Sequence, residues 1–293
     1  MAIDRVFWYH FMAVITVCIW GVTFVSTKVL IGYGLSPIEI FFFRFVLAYI
    51  CICFVSPRKL FANSFKDELW MVGAGLSGGS LYFITENTAL GLTLASNVSL
   101  IICTTPILTA FLFYFVNKEE KLKRNLLIGS FIALAGVALV VFNGRFNFEV
   151  NPLGDILTFV AALMWAFYCL ILRRMNTKYS ILFFTRKVFF YGIITSLPMF
   201  IISPLNFNLD ILLKPVVFSN LLFLGVVASM LCFIMWNNIV KRIGALRATN
   251  YLYIVPLVTM ITSALVIDEQ ITIITLVGSC LILFGVYLAE RSR

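Results

Sequence analysis

Residues 218–240 read FSNLLFLGVVASMLCFIMWNNIV, twenty-three positions without one charged side chain. A half-buried β-strand alternates apolar with polar residues, and Leu221-Leu222-Phe223-Leu224 does not, nor does Phe41-Phe42-Phe43 further upstream. In lipid every backbone N–H and C=O must be satisfied internally, so only helices and closed barrels cross a bilayer, and barrels need that alternation. The run is therefore a helix. At about 1.5 Å per residue it is long enough for a hydrocarbon layer of ~30 Å.

Similar runs fall at 8–32, 36–55, 69–90, 95–116, 124–142, 153–172, 181–202, 245–266 and 271–289. Turn chemistry separates them: Gly32-Tyr33-Gly34, Ser36-Pro37, Ser56-Pro57, Asn143-Gly144 and Asn151-Pro152. Composition agrees, since 62% of the 293 residues are apolar, 12% are charged and the mean hydropathy is +1.04. A soluble domain carries about 25% charged residues. So little charge cannot give a compact globule a wettable surface, which excludes a cytosolic enzyme, a nucleic-acid-binding protein and a disordered tail. The expected fold is an all-α integral membrane protein of ten transmembrane helices, with no room for a separate soluble domain. The first run is too long for a signal-peptide core and should stay as a helix.

The net charge of +9 reads as the Lys/Arg bias of cytoplasmic loops. On the side of the N-terminus lie sixteen basic residues: Arg5, Arg58, Lys59, Lys66, Lys118, Lys121, Lys123, Arg124, Arg173, Arg174, Lys178, Lys241, Arg242, Arg247, Arg291 and Arg293. The opposite loops hold two, Arg145 and Lys214. Both termini are therefore expected in the cytoplasm. All seven cysteines fall inside apolar runs without metal-ligand spacing, and His10, the single histidine, is expected at the membrane interface. No cofactor or metal is expected.

The two halves of the chain repeat. Glu120, Gly129 and Gly136 match Glu269, Gly278 and Gly285 at a constant offset of 149 residues. Pro106 and Pro256 precede those glutamates at nearly equal distances, Trp20 pairs with Trp165 in the first and sixth runs, and Arg44 pairs with Arg186 in the second and seventh. With five spans per half, an odd number, the second copy enters the bilayer from the opposite side. The expected organisation is a repeat over 1–146 and an inverted repeat over 147–293, an architecture of secondary transporters whose substrate sites lie near the midplane.

These features, with Pro256 … Asp268-Glu269-Gln270 … Gly278 … Gly285, the counterpart Pro106 … Glu119-Glu120 … Gly129 … Gly136, and Pro37 followed by Phe43-Arg44-Phe45, resemble the drug/metabolite transporter superfamily, specifically its EamA-type members. The resemblance covers essentially the whole chain. It implies a bacterial cytoplasmic-membrane carrier with a central cavity lined by helices 1–4 and 6–9 and with helices 5 and 10 peripheral. It implies no particular substrate, because members handle amino acids, sugars, nucleotide derivatives and drugs. The halves also differ where Glu86-Asn87 stands against Trp236-Asn237-Asn238.

Ionisable residues inside hydrocarbon cost about 2.5–3.5 kcal/mol each on insertion scales, so they need partners or water. Lys28, Glu39, Arg44 and Glu86 all fall in the outer half of the membrane. They read either as a structural ion-pair network or as a site, with Glu86 binding a proton or amine and the cations holding a carboxylate or phosphate. Arg186 and Lys187 are neighbours about 100° apart on a helix. One is expected to snorkel to the headgroups, and Arg186, by its match to Arg44, to face the cavity, unless both snorkel.

Thr16, Trp20, Thr23 and Thr27 share a face of the first helix; Thr158, Trp165, Tyr168 and Cys169 do the same in the sixth. Pro106 and Pro256 free the carbonyls of Ile102 and Leu252. Asn97, Thr104, Thr105, Asn250 and Tyr251 stand near enough to satisfy them or to bind substrate, with the prolines as hinges or simple packing kinks. Tyr82 and Asn237 complete the candidate translocation set. Gly75 and Gly79, like the Gly129/Gly136 and Gly278/Gly285 pairs, read as close helix contacts, and Glu120 and Glu269 as loop anchors.

The function read from these residues is a secondary transporter, an exporter by resemblance, moving an amino acid or related amine or carboxylate by alternating access. Protons are a candidate coupling ion, lipids and the small substrate are the partners, and a monomer or weak homodimer is the expected state. A multidrug exporter or a lipid-carrier flippase are the alternatives; an enzyme is not expected.

Overall fold

The computed structural model describes residues 2–56, 59–93, 95–116, 124–142, 151–205, 208–267 and 273–290. Among the described residues there are helices and turns and no strand. In chain order α1 is Ala2–Gly32, α2 is Pro37–Val55, α3 covers 65–92, α4 covers 95–116, and α5 is Arg124–Phe142. Then come α6 (Pro152–Met175), α7 (Ile181–Ile201), α8 (Pro215–Ile243), α9 (Ala245–Val266) and α10 (Ile273–Glu290). Six of these, α1, α2, α6, α7, α8 and α9, are long and apolar enough to cross a membrane. Phe54, Phe115, Ile201 and Leu265 stand exposed on the outside of the bundle, a surface that suits lipid rather than water.

Capping chemistry sets the helix starts. Ser36 accepts from the Glu39 amide while the Glu39 carboxylate accepts from the Ser36 amide at 2.8 Å, a capping box with Pro37 at the first helical position. Asn151 caps α6 at Gly154, again followed by proline, and Ser180 caps α7 at Phe183. Each such cap stabilises a helix by about 1 kcal/mol. Glu39 thus serves as the capping partner of α2.

Irregularities recur at matching places in the two halves. A π-helical stretch interrupts α3 at Leu76–Ser80 and α8 at Phe223–Leu231. Just before Pro106 the chain turns at Cys103-Thr104, and just before Pro256 it tightens into a 3₁₀ stretch at Tyr251–Ile254. The carbonyls freed by these prolines are both taken up. The Thr105 hydroxyl donates to Ile102 at 2.6 Å and the Cys103 thiol donates to Leu252 at 3.4 Å. Cys103 was not among the expected partners.

Packing between the halves is reciprocal. A Cβ placed on Gly136 would stand 2.6 Å from the Gly278 carbonyl oxygen, and one on Gly285 2.6 Å from that of Gly129. Residue 136 therefore faces 278 while 129 faces 285, so α5 and α10 run antiparallel with their backbones in contact. Elsewhere α3 packs on α6 as α1 packs on α8, α1 on α9 as α4 on α6, and α2 lies directly against α7. Gly75 and Gly79 let α3 approach Tyr191 and Gly192 of α7. In lipid, where apolar burial no longer drives association, such small-residue contacts supply the packing energy.

Candidate functional site

Where the halves meet, a cavity of about 30 Å³ is lined by Trp20, Thr23, Phe24, Arg44, Tyr82, Phe83, Glu86, Ile102, Thr105, Trp165, Leu252 and Val255. Its polar groups are built from four helices. Glu86 of α3 accepts a hydrogen bond from Tyr82, one turn earlier, at 2.8 Å. Arg44 of α2 is 1% exposed, donates from Nε to the Ser229 hydroxyl of α8 at 3.0 Å, and lays its guanidinium 4.2 Å over the Phe83 ring. Each charge is thus held by a different partner, which leaves a carboxylate and a guanidinium on the wall of one cavity.

The floor is aromatic. Trp20 and Trp165 meet at 5.2 Å, and Trp236 lies 5.0 Å from Trp20. Phe233 fills the space behind them, within van der Waals reach of Trp165, Phe45 and Phe189. Trp20 donates to the Ala228 carbonyl inside the π-helical stretch of α8 at 3.0 Å. A site of ~30 Å³ holds a water or two and is far smaller than the few hundred Å³ of a metabolite pocket. The seam is closed in this arrangement.

Trp20, Thr23, Arg44, Tyr82, Glu86, Thr105 and Trp165 are brought together at this cavity; the other candidates are placed elsewhere. Tyr168 is fully buried on the far side of Trp165 and donates to Asn237 at 2.7 Å, and Asn237 donates in turn to Thr185 at 2.8 Å, so this pair ties α6, α8 and α7 together. Tyr251 bonds His10 at 2.5 Å near the start of α1, and Asn250 is buried beside it; from α9 it is Leu252 and Val255 that reach the cavity. Lys28 is half-buried in the last turns of α1. Asn97 lies in α4, with its side chain outside the described residues, as are Glu120 and Glu269.

Arg186 requires a correction. Instead of lining the cavity it donates to the Lys59 carbonyl in the α2–α3 connection and lies over Phe183. Lys187 does not snorkel either: it is 3% exposed and pairs with Glu68. The physical reason is a cluster of acceptors that a count of apolar residues does not reveal. Ahead of the apolar stretch 69–90, the first turn of α3 carries Asp67 and Glu68. Asp67 accepts from Lys178 at 2.8 Å and from Tyr179 at 2.9 Å. Glu68 accepts from Lys187, Tyr191 and the Ala62 amide, and Tyr179 in turn accepts from the Asn63 amide. The hydrogen bond from Lys178 holds the Asp67 carboxyl below its ordinary range. For Glu68 burial pushes upward, yet the bonds from Lys187 and Tyr191 outweigh it and leave the carboxyl lowered. This polar clamp joins the two halves at the end of the bundle away from Glu86.

Among residues the spacing did not single out, Ser229 matters most, because its hydroxyl fixes Arg44 from the opposite half. Phe83 and Trp236 follow; one turn from Glu86 and a repeat-length from it respectively, they carried a signal that charge alone hid.

Two interlocked helical halves enclosing a small charged cavity within an apolar, lipid-compatible surface define a multi-pass membrane transporter. The chain belongs to the EamA-like transporter family, which it matches twice, over residues 7–142 and 152–290. An uncharacterized transporter of Archaeoglobus fulgidus is 29% identical over 97% of this chain and 98% of its own length. The Bacillus subtilis uncharacterized transporter YyaM is 28% identical over 92% and 89%. An Escherichia coli protein named as a probable amino-acid metabolite efflux pump is 23% identical over 94% and 93%. A solved crystal structure shares the fold, with a TM-score of 0.70 and 16% identity over 98% of this chain and 97% of that one.

Proposed function

We propose that this chain is a ten-span secondary carrier, built as inverted repeats over 1–146 and 147–293, that exports a small zwitterionic or carboxylate metabolite of the amino-acid class by alternating access. The observation that carries the proposal is the placement of Arg44 and Glu86 on one buried wall over a tryptophan floor. A guanidinium matches a carboxylate, a carboxylate matches an ammonium, and indole faces cover the methylenes or the cation between them. The antiparallel, reciprocal packing of α5 with α10 supports the inverted repeat, and the name carried by the Escherichia coli relative supports the cargo class. Loop charges support an orientation with both termini in the cytoplasm, at a bacterial inner membrane. Protons are the proposed coupling ion.

Alternating access then has a simple basis here. The central space is too small for cargo, so binding requires α1, α3 and α4 to part from α6, α8 and α9 on one side of the tryptophans while the other side stays shut. The test is counterflow in proteoliposomes of the purified protein with a radiolabelled amino-acid mixture. Exchange above empty liposomes, lost in Arg44→Gln, is expected. Absence of flux for every amino acid and carboxylate, with a pH gradient in either direction, refutes the reading.

A further inference from the structure

A second cavity, of about 720 Å³, lies at the end of the bundle that the loop charges assign to the cytoplasm. It is bounded by Phe113 near the end of α4, Arg173 to Thr177 at the end of α6, and the α8–α9 junction from Val240 to Arg247. Its volume falls in the range of small-molecule sites, in contrast to the closed centre. Gly244 makes the junction possible: at φ +86° it lets α8 end and α9 begin in one residue, and a Cβ there would meet no atom within 4 Å.

The lining has one sign. Arg173, Lys241 and Arg247 face this space, and no carboxylate lines it among the described residues. Positive loops are general on this side of a membrane, but other cations there are committed: Lys178 pairs with Asp67 and Lys187 with Glu68, while Arg174 lies over Trp70 and Arg242 over Tyr9. Lys241 and Arg247 have no such partner among the described residues. Arg173 is positioned by stacking 5.1 Å over Phe113.

The remaining polar group has the opposite character. Asn176 is 4% exposed, its amide nitrogen is committed to the Asn237 carbonyl at 3.3 Å, and its Oδ1 accepts from no described residue. A buried acceptor left open is costly and calls for a donor.

We propose that this vestibule is a loading site for a soluble metabolite carrying a carboxylate or phosphate, the oxyanion held by Arg173, Lys241 and Arg247 and a hydrogen-bond donor on the same molecule held by Asn176. The proposal rests on the carrier reading for its orientation but assigns a site separate from Arg44 and Glu86. Oxyanions of anionic lipid headgroups share the chemistry. Soluble cargo is favoured because helix ends and junction residues bound the space, and because an amide acceptor adds nothing for a bare phosphodiester.

The experiment measures binding without transport, so it stands even if no flux is found. Purified full-length protein in phosphatidylcholine nanodiscs is titrated with inorganic phosphate at constant ionic strength, and the unfolding midpoint is followed. A saturable rise is expected, weakened about fivefold for each of Arg173→Gln, Lys241→Gln and Arg247→Gln, the ratio of one screened charge pair. Arg44→Gln should leave it intact. Added glutamate should compete with phosphate, and Asn176→Leu should weaken glutamate more than phosphate. A response that persists in the triple variant, or that phosphatidylglycerol in the disc abolishes, overturns the proposal.

Discussion

Trp20 and Trp165 meet edge to face, ring centroids 5.2 Å apart and planes at 88°. Residues related by a perfect twofold would present the same aspect to each other, so this contact breaks the equivalence of the halves. The difference extends to hydrogen bonding, because Trp20 donates to Ala228 while the buried Trp165 Nε1 donates to no described residue. At the 150-residue offset of Pro106 and Pro256, Ala228 corresponds to Gly78, and both sit in π-helical stretches. Under the proposed alternating access, Trp165 is expected to donate to Gly78 in the opposite-facing state, with Trp20 released. An open buried N–H costs about 1–3 kcal/mol. Trp165→Phe should therefore be cheaper to stability than Trp20→Phe by about 1 kcal/mol, although both lose similar packing. Equal unfolding midpoints for the two variants would refute this account.

Glu86 bears on coupling. If its carboxylate exchanges a proton for cargo at the cavity wall, Glu86→Gln folds normally, since an amide can still accept from Tyr82. Substrate flux driven by a pH gradient should then fall to background while substrate–substrate exchange survives. Unchanged dependence on the gradient in proteoliposomes would remove Glu86 from the coupling step.

Much of this architecture could be read from residue order, for identifiable reasons. Span positions follow from apolar runs because lipid leaves the backbone no alternative to a helix, and the observed helices coincide with those runs to within about six residues. Within the cavity group, Trp20, Arg44, Glu86 and Trp165 were legible because a charge or an indole inside a span demands an explanation. Arg186 was misread because its partner is a backbone carbonyl, of Lys59, and carbonyls have no signature in a sequence. Asn250 and Tyr251 were misplaced because the 3₁₀ stretch at Tyr251–Ile254 resets the helical phase before Pro256. The π-helical stretches were invisible for a related reason: they answer to close contacts such as Gly78 under the Tyr168 ring, which arise only after the halves pack.

The α5–α10 seam gives a stability test with an internal control. A Cβ on Gly136 or Gly285 would approach backbone atoms of the partner helix to 2.6 and 2.5 Å, and a backbone cannot swing aside as a side-chain tip can. Alanine at either position should cost about 1–3 kcal/mol, the usual range for overpacking. Gly91, in the last turn of α3, has no atom within 4 Å of the place a Cβ would occupy. Gly91→Ala should be neutral or stabilise by up to about 1 kcal/mol through helix propensity. Thermal unfolding in one detergent separates the cases, and a destabilised Gly91→Ala or an unaffected Gly136→Ala would contradict the packing described.

The clamp formed by Asp67 and Glu68 makes stability depend on pH at the acidic end. Both carboxyls are lowered by their partners in the folded protein, so each binds protons more readily when unfolded. Their contribution is complete above the unfolded carboxylate values of about 4 and fades as pH falls through the lowered folded values. Midpoints measured in detergent should hence drop on acidification below about pH 4. Asp67→Asn should flatten that drop while lowering the midpoint at neutral pH, because the amide keeps the shape but loses the charge facing Lys178 at 2.8 Å. Lys178 is half-exposed and salt screens such a pair, whereas Lys187 and Glu68 are enclosed. Added salt should therefore shrink the effect of Asp67→Asn and leave that of Glu68→Gln largely unchanged; the reverse order would mean that the two carboxyls do not hold the halves as the structure shows.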